Sequence, residues 1–221
     1  MKSAIISTAA ALSLASGSLA QTYTQSRPFK LVVQSTDKSV NNKILEACHE
    51  GAGIEGLCVE NSEKLTSYNT YVFNTTSGTV VSDQNLGPTG LLIYELQADK
   101  TNGEKTPSSQ YSPSNLTTLP ESEPMQFFSD PSTNVALPLF EPTQTGQQVG
   151  FDKQNKLHVQ SSLNDTVDPP TSTKVRGLYR WYVCKTNFEG YVYETLAWVL
   201  GNGKPENPTC KKVDVIRQFE A

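Results

Sequence analysis

The feature that most constrains the fold is a series of short apolar runs, each ended by turn-forming residues. Phe29–Val33, Leu91–Leu96 and Tyr191–Leu200 are rich in β-branched, leucine and aromatic residues, and Asp130–Asn134 is a strong turn signal between two further runs. Runs of this length and punctuation predict β-strands. No stretch shows the apolar period of a helix. The sequence therefore predicts an all-β domain.

Two segments share a shape, which suggests an internal repeat. YVFNTTSGTVV at 71–81 and VGFDKQNKLHV at 149–159 each have an aromatic strand end, turn residues and a short apolar strand, and each predicts a hairpin. The stretch from Trp181 is interpreted as a third, degraded copy. Three such units predict a β-trefoil. Because the spacing is uneven, a Greek-key β-sandwich is the alternative.

The first twenty residues predict a signal peptide. Lys2 gives a positive start, the run Ala4–Leu14 is apolar, and Ser18 and Ala20 occupy the small-residue positions before the cleavage point. The apolar run is shorter than the roughly 20 residues that span a bilayer. The charged C-terminal end lacks the apolar tail of a lipid-anchor signal. We expect one secreted domain, residues 21–221, with no membrane partner.

The mature chain has four cysteines: Cys48, Cys58, Cys184 and Cys210. An even count in a secreted chain predicts disulfides, although four cysteines allow three pairings. Local pairing, 48 with 58 and 184 with 210, is favoured because each pair brackets a glycine-containing turn region. The first pair is expected to close a glycine-rich loop, in which Gly51, Gly53 and Gly56 supply positive φ angles.

Polar segments mark the expected surface. Sequons for N-glycosylation begin at Asn74, Asn115 and Asn164, and in a secreted chain they predict surface glycans. Residues 98–122 are rich in Ser, Thr, Pro, Asn and Lys, without an apolar period, and predict a long mobile loop. Residues 165–173 are interpreted as a second polar linker.

Several phrases carry a resemblance to a known group. They are FKLVVQS, EACHEGAGIEGLC, SEPMQFFSDPSTNVALPLFEP, RWYVCKT and YVYETLAWVLGNGKPENPTC. Together they resemble a family of small secreted proteins of filamentous ascomycete fungi. The order of elements is also similar, more distantly, to fungal cell-wall proteins linked to phialide and conidium development. The resemblance implies secretion and a β-domain, and it implies no activity.

Catalytic motifs are absent from the sequence. It contains neither G-x-S-x-G nor H-E-x-x-H, and its only histidines, His49 and His158, lie far apart. No metal or other cofactor is predicted. The net charge of −4 with scattered basic residues argues against a nucleic-acid partner. A pair of carboxylates would suffice for glycoside hydrolysis. The candidates in or beside predicted strands are Glu95, Asp152, Glu194 and Asp214.

The last third of the chain is the most aromatic, and its rings are candidates for ligand binding. They are Trp181, Tyr182, Tyr191 and Tyr193. Tyrosine and tryptophan combine an apolar ring with a polar tip, which suits them to stacking on sugars. Strand alternation places Tyr191, Tyr193 and Thr195 on one face and Leu196 with Trp198 on the other. Packing of most of these rings in the core is the alternative use.

The sequence thus favours a secreted, non-enzymatic extracellular or cell-wall-associated protein of fungal type. Its expected partner is a cell-wall polysaccharide or another extracellular protein. The alternative is a secreted effector or enzyme inhibitor that acts through the Cys48–Cys58 loop. A glycoside hydrolase with a carboxylate pair is the weaker alternative.

Overall fold

The protein is built from β-strands throughout the part that the structure describes. The computed structural model describes residues 23–61, 66–76, 81, 83–96 and 121–219. Within these residues there are fifteen strands and no helix. The strands are β1 (Tyr23–Gln25), β2 (Phe29–Gln34), β3 (Ile44–Gly51), β4 (Ile54–Glu60), β5 (Tyr71–Thr76), β6 (Thr89–Leu96), β7 (Glu121–Ser129), β8 (Val135–Phe140), β9 (Gln148–Phe151), β10 (Leu157–Asn164), β11 (Thr171–Leu178), β12 (Trp181–Phe188), β13 (Tyr191–Val199), β14 (Lys211–Lys212) and β15 (Asp214–Phe219). The all-β prediction is confirmed.

Eight of the strands close into a barrel. Their order is β5-β2-β3-β4-β13-β8-β7-β6, and the pairing of β6 with β5 completes the ring. The other strands extend from it: β15 pairs with β2, β12 with β13, and β9, β10 and β11 follow β6. The finer predictions, a β-trefoil or a Greek-key sandwich, are not established by this pairing and stay predictions.

Aromatic rings pack together with aliphatic side chains in the main core. Trp181 is fully buried, its ring centroid is 4.7 Å from that of Trp198, and its Nε1 donates a hydrogen bond of 2.8 Å to the carbonyl oxygen of Leu157. Tyr71 stacks on Phe140 at 5.6 Å. Buried aromatic pairs add specific packing energy beyond the area that they bury. These rings connect β5, β8, β12 and β13 through one interior.

A second apolar layer covers the outer face of β8. Val135, Leu137 and Leu139 point out of the barrel into a cluster with Cys184 and Phe188, whereas alternate residues of β8 point inward. Burial on both faces explains why β8 reads as a continuous apolar run instead of an alternating one.

Both predicted disulfides are present, Cys48–Cys58 and Cys184–Cys210. The segment between Cys48 and Cys58 is, however, not the predicted loop. It is the hairpin of β3 and β4, whose turn is only Ala52 and Gly53. Only Gly53 of the three glycines has a positive φ, of 67°. The disulfide therefore joins two paired strands, because both cysteines lie on the outer face of that hairpin.

Two local predictions are wrong. Asn74–Thr76 is not a turn but the end of β5, where it pairs with β1, and Val81 is not in a strand. The turn predicted at Asn74–Thr76 is therefore absent, and residues 77–80 of the predicted hairpin lie outside the described residues. Pro138 lies inside the barrel strand β8, opposite Phe127 of β7. It sits where the partner of β8 changes from β13 to β4, so its missing N–H breaks no ladder bond.

Other predictions fall partly or wholly outside the described residues. The signal peptide at 1–20 lies outside them, as does most of the predicted loop at 98–122, whose last two residues belong to β7. The polar linker predicted at 165–173 ends early, because β11 begins at Thr171. No membrane-spanning helix is found in the part of the chain that the structure describes.

Close contact between strands explains one glycine and gives a testable prediction. A Cβ on Gly90 would clash with the carbonyl oxygen of Asn74 and lie 2.9 Å from the ring of Phe73. We expect Gly90→Ala to lower the free energy of unfolding by about 1–3 kcal/mol, because overpacking shifts backbone and side chains. Urea denaturation monitored by circular dichroism measures the change. Gly203→Ala is the control, since the nearest atom to its Cβ is 3.9 Å away. Equal stability of both variants would contradict the prediction.

Candidate functional site

Four aromatic side chains lie near one another on one outer face of the sheet, here called the aromatic row: Phe128, Phe188, Tyr191 and Tyr193. Phe128 meets Phe188 edge to face at 5.0 Å, Phe188 is paired across the strands with Tyr191, and Tyr191 lies parallel to Tyr193 at 6.3 Å. Phe128 is 42% exposed and Tyr191 36% exposed. Phe188 is only 8% exposed, so Phe128 and Tyr191 are the rings that offer apolar faces to a ligand from solution.

The register of the β12–β13 hairpin creates most of this row. The two strands pair from Trp181 with Trp198 to Phe188 with Tyr191, and Glu189 and Gly190 make the turn with positive φ angles. Side chains opposite each other share a face. Phe188, Tyr191 and Tyr193 therefore lie together, as the predicted alternation of Tyr191 and Tyr193 requires.

A cleft of about 400 Å³ adjoins the row; we call it the Phe128 cleft. It lies between the β7–β8 turn, the last part of β12 and the loop after β13. Its walls are Phe128, Asp130, Ser132, Thr133, Val135, Leu137, Lys185, Thr186, Asn187 and Asn207. Ligand sites commonly combine apolar walls with a few placed polar groups, and this cleft has both.

The polar groups of the Phe128 cleft are available for hydrogen bonding. Oδ1 of Asp130 accepts from the backbone N–H of Ser132 at 2.8 Å, and hydrogen bonds from Ser132 lower the pKa of Asp130. Asp130 is therefore ionised at neutral pH. Oδ1 of Asn187 accepts from Gly190, while its Nδ2 and the Nζ of Lys185 have no partner among the described residues. The cleft thus presents a carboxylate, an ammonium and an amide beside an exposed ring.

The structure separates the four aromatic residues that were predicted to bind ligand. Tyr191 and Tyr193 lie in the aromatic row. Trp181 is fully buried in the barrel, so its ring is not accessible to a ligand, and this part of the prediction is wrong. Tyr182 is half-buried in the outer cluster, and the ammonium of Lys212 lies 4.9 Å from its ring. Core packing, the alternative use, applies to Trp181.

Two of the four candidate carboxylates come together, but both are engaged by the protein. Asp152 accepts at Oδ1 from the backbone of Lys156 and at Oδ2 from the hydroxyl of Tyr179, at 2.9 and 2.8 Å. Asp214 pairs with Nζ of Lys156 at 2.6 Å. Burial, together with the bond to Asp152, raises the pKa of Tyr179, which therefore remains protonated and donates. This group holds β9, β10 and β15 together.

The other two candidates lie apart from this group. Glu194 pairs with Lys211 at 3.1 Å, and Glu95 accepts from the side chain of Gln25 at 3.1 Å on the surface. All four carboxylates therefore have a protein partner.

Three buried acids were not predicted from sequence. Glu50 is 1% exposed, Glu55 8% and Glu123 0%. Burial raises the pKa of Glu50 to about 7. Tyr94 is also buried, and desolvation followed by the charges of Glu55 and Glu123 raises its pKa. Sequence gave no signal for these acids, because each interrupts an otherwise ordinary strand pattern.

No cluster of three or more metal-ligating side chains occurs among the described residues. His49 is exposed and meets the ring of Tyr191 edge to face at 5.3 Å. His158 is buried, and burial lowers its pKa. The two histidines thus lie in different environments, His49 on the surface and His158 in the interior.

The sequons differ in their settings. Asn74 is half-buried within β5, paired on both sides, and not in the predicted turn. Asn164 ends β10, and its Oδ1 accepts from the hydroxyl of Thr166 at 2.7 Å. Asn115 lies outside the described residues. Glycosylation stays a prediction at all three.

Phe128 was missed as a site residue, although a signal for it exists. It follows Phe127 in a predicted strand, and neighbouring strand residues face opposite sides. Phe127 packs on Trp181 and Trp198, so Phe128 must point outward. Asp130, Lys185 and Asn207 carried no such signal, because only folding brings the β7–β8 turn to β12.

These features define a class: a disulfide-linked, all-β barrel domain with an exposed aromatic row and a mixed polar cleft. Residues 26–219 match the family model described as a domain of unknown function, DUF7907. The match covers most of the chain, and the protein belongs to this family. No curated protein and no solved structure matches the chain.

Proposed function

We propose that this is a secreted, non-enzymatic extracellular protein that binds polysaccharide along the aromatic row. The observation that carries the proposal is the row itself, in which Phe128 and Tyr191 are exposed, and the largely buried Phe188 contacts Phe128 and is paired across the strands with Tyr191. Large rings left in water are unfavourable unless a partner covers them. The C–H groups of a sugar face fit such rings.

The Phe128 cleft supports a sugar better than an apolar partner. Sugars carry hydroxyls that both donate and accept hydrogen bonds, and the cleft offers an acceptor at Asp130 and donors at Lys185 and Asn187. Alternating ring and polar contacts along one surface suit an extended chain of sugar units. A linear polysaccharide, such as a cell-wall glucan or chitin, is therefore the proposed ligand class.

The proposed location outside the cell has its own support. Two disulfides form from all four cysteines, and disulfides persist in oxidising compartments. The sequence also begins with a predicted signal peptide. The fungal source and retention in a cell wall remain part of the proposal, and they depend on the resemblance described above.

Binding without catalysis is proposed because each of the four candidate acids is hydrogen-bonded to or ion-paired with a protein group, as Asp152 and Asp214 illustrate. A β-trefoil, with a Greek-key sandwich as alternative, is kept as the finer fold proposal. Of the two hairpins that suggested the repeat, the one formed by β9 and β10 supports it.

Truncating the aromatic row tests the proposal. We expect the disulfide-intact protein to be retained on chitin or β-glucan, and Phe128→Ala and Tyr191→Ala each to weaken binding about ten-fold, because each removes a stacking face. Pull-down on insoluble polysaccharides and a glycan array measure retention, and calorimetry with a soluble oligosaccharide measures affinity.

Leu163→Ala is the matched control, since Leu163 is 54% exposed on β10 and lies outside the row and the cleft. The control should bind like the unmodified protein. The proposal fails if no polysaccharide retains the protein, or if the control loses as much affinity as the row variants. If no polysaccharide retains the protein but the protein inhibits a protease, and changes in the Cys48–Cys58 hairpin abolish that inhibition, the inhibitor alternative is favoured.

A further inference from the structure

A second cleft, unrelated to the aromatic row, is built around Arg217 in β15. It has a volume of about 250 Å³ and shares no lining residue with the Phe128 cleft. Its walls are Thr24, Gln25, Ser26, Phe73, Thr75, Pro88, Phe151 and Arg217. We call it the Arg217 cleft. The walls are mostly apolar, with hydroxyls at the rim and a single cation.

The guanidinium of Arg217 is held in place by aromatic rings. Its Cζ lies 4.3 Å from the ring centroid of Phe151, 4.8 Å from that of Phe219 and 5.6 Å from that of Phe29. Cation–π contacts with three rings fix the group without neutralising its charge. The guanidinium carbon of Arg27 lies 5.0 Å from the ring centroid of Phe219, so a second positive charge lies near Arg217.

Hydrogen bonding leaves one edge of this guanidinium unused. Nε and Nη2 of Arg217 both donate to Oδ1 of Asn155, at 3.3 and 3.0 Å, and Nη1 has no partner among the described residues. None of the ion pairs in the described part of the chain involves Arg217. Partial burial lowers its pKa, but arginine remains charged at any physiological pH.

A half-buried cation without a carboxylate is unusual, because desolvation of a charge is costly unless a counter-charge compensates. Here the positions of Asn155 and the rings orient the free edge, and an open apolar cleft lies beside it. An anion with an apolar body would complete the site: the head would accept from the free edge, and the body would fill the cleft against Pro88 and the small accessible parts of Phe73 and Phe151.

We propose that the Arg217 cleft binds a small organic carboxylate. The proposal does not depend on polysaccharide binding. A planar carboxylate suits the free edge, because Nη1 and the second hydrogen of Nη2 can donate two parallel hydrogen bonds to it, whereas inorganic phosphate has no apolar body to fill the cleft. The volume admits a compact body, smaller than that of most drug-sized ligands.

The test uses 2-naphthoate as probe with the mature, disulfide-intact protein. Fluorescence titration should show one saturable site, and the neutral isostere 2-naphthamide should bind at least ten-fold more weakly. Inorganic phosphate should not displace the probe. Arg217→Gln should weaken naphthoate binding at least ten-fold, and Arg217→Lys should fall between, because lysine keeps the charge but loses the planar edge.

Arg176→Gln is the matched control, since Arg176 is exposed on β11 and bonds only the carbonyl of Leu163. It should bind like the unmodified protein. Thr24→Trp is a second test, which keeps Arg217 and so does not depend on the folding of the Arg217 variants. Thr24 is exposed, and a large side chain there would fill the cleft and weaken naphthoate binding. Absent naphthoate binding, equal binding of naphthamide, or unchanged binding in Arg217→Gln or Thr24→Trp would each overturn the proposal.

Discussion

Trp181→Ala is expected to lower the free energy of unfolding by about 3–5 kcal/mol, the range for removing a fully buried large aromatic side chain. Trp181 is completely enclosed and packs on Trp198 and Phe127. Its removal leaves a cavity at the point where β12 meets the barrel. The carbonyl oxygen of Leu157 also loses the hydrogen bond from the indole. Urea denaturation monitored by far-ultraviolet circular dichroism, with the disulfides intact, measures the loss.

Trp181→Phe is the milder change, since it keeps an aromatic ring in the core and removes the indole donor with part of the ring volume. It should be clearly less destabilising than Trp181→Ala. Tyr191→Ala serves as the control from the same hairpin, because Tyr191 is exposed, and it should change stability by less than about 1 kcal/mol. A loss below about 1 kcal/mol in Trp181→Ala would show that the indole does not support the core.

Glu50 should make the stability of the protein fall as pH rises from 4.5 to 7. Its side chain lies across Gly56 and is 1% exposed, and its Oε2 has no hydrogen-bond partner among the described residues. Burial raises its pKa from 4.5 to about 7. Between these values the unfolded chain loses the proton while the folded protein keeps it. The free energy of unfolding therefore decreases with pH, by about 3 kcal/mol across the window at about 1.4 kcal/mol per pKa unit.

The comparison of Glu50→Gln with the unmodified protein isolates this effect. His158 acts in the opposite direction, because burial lowers its pKa below 6.5 and its contribution to stability is lost as pH falls. The difference between the two proteins cancels that contribution. We expect Glu50→Gln to gain stability relative to the unmodified protein as pH rises to 7, with no further change above it. Exposed Glu60→Gln is the control, and parallel pH profiles for all three proteins would rule the effect out.

Most strands could be located from sequence because they bury apolar residues in a strict pattern. Phe29–Val33 was within one residue of β2, and Leu91–Leu96 and Tyr191–Leu200 were within two residues of β6 and β13. Both disulfides followed from local pairing. Turns with Asp, Pro, Asn and Gly, such as Asp130–Asn134, were equally visible.

The missed elements depend on contacts far apart in sequence. β1 and β11 are polar and exposed, so they carry no apolar pattern, and only their pairing with β5 and β10 makes them strands. Closure of the barrel requires β6 to meet β5, which no local pattern reveals. The same holds for the surface clefts: Tyr191 and Tyr193 were expected from alternation, whereas Phe128 and Arg217 acquire their neighbours only in the fold.

Closure of the barrel confines unpaired main-chain groups to the margin of the sheet, and β11 is one margin. A free strand margin can recruit a matching strand from another molecule and start aggregation. β11 begins with Thr171, Ser172, Thr173 and Lys174, all exposed, and Arg176 follows. Hydroxyls and positive charges make a poor template for such addition. A polar, charged strand thus lies at this margin of the sheet, where strand addition from another molecule would otherwise begin.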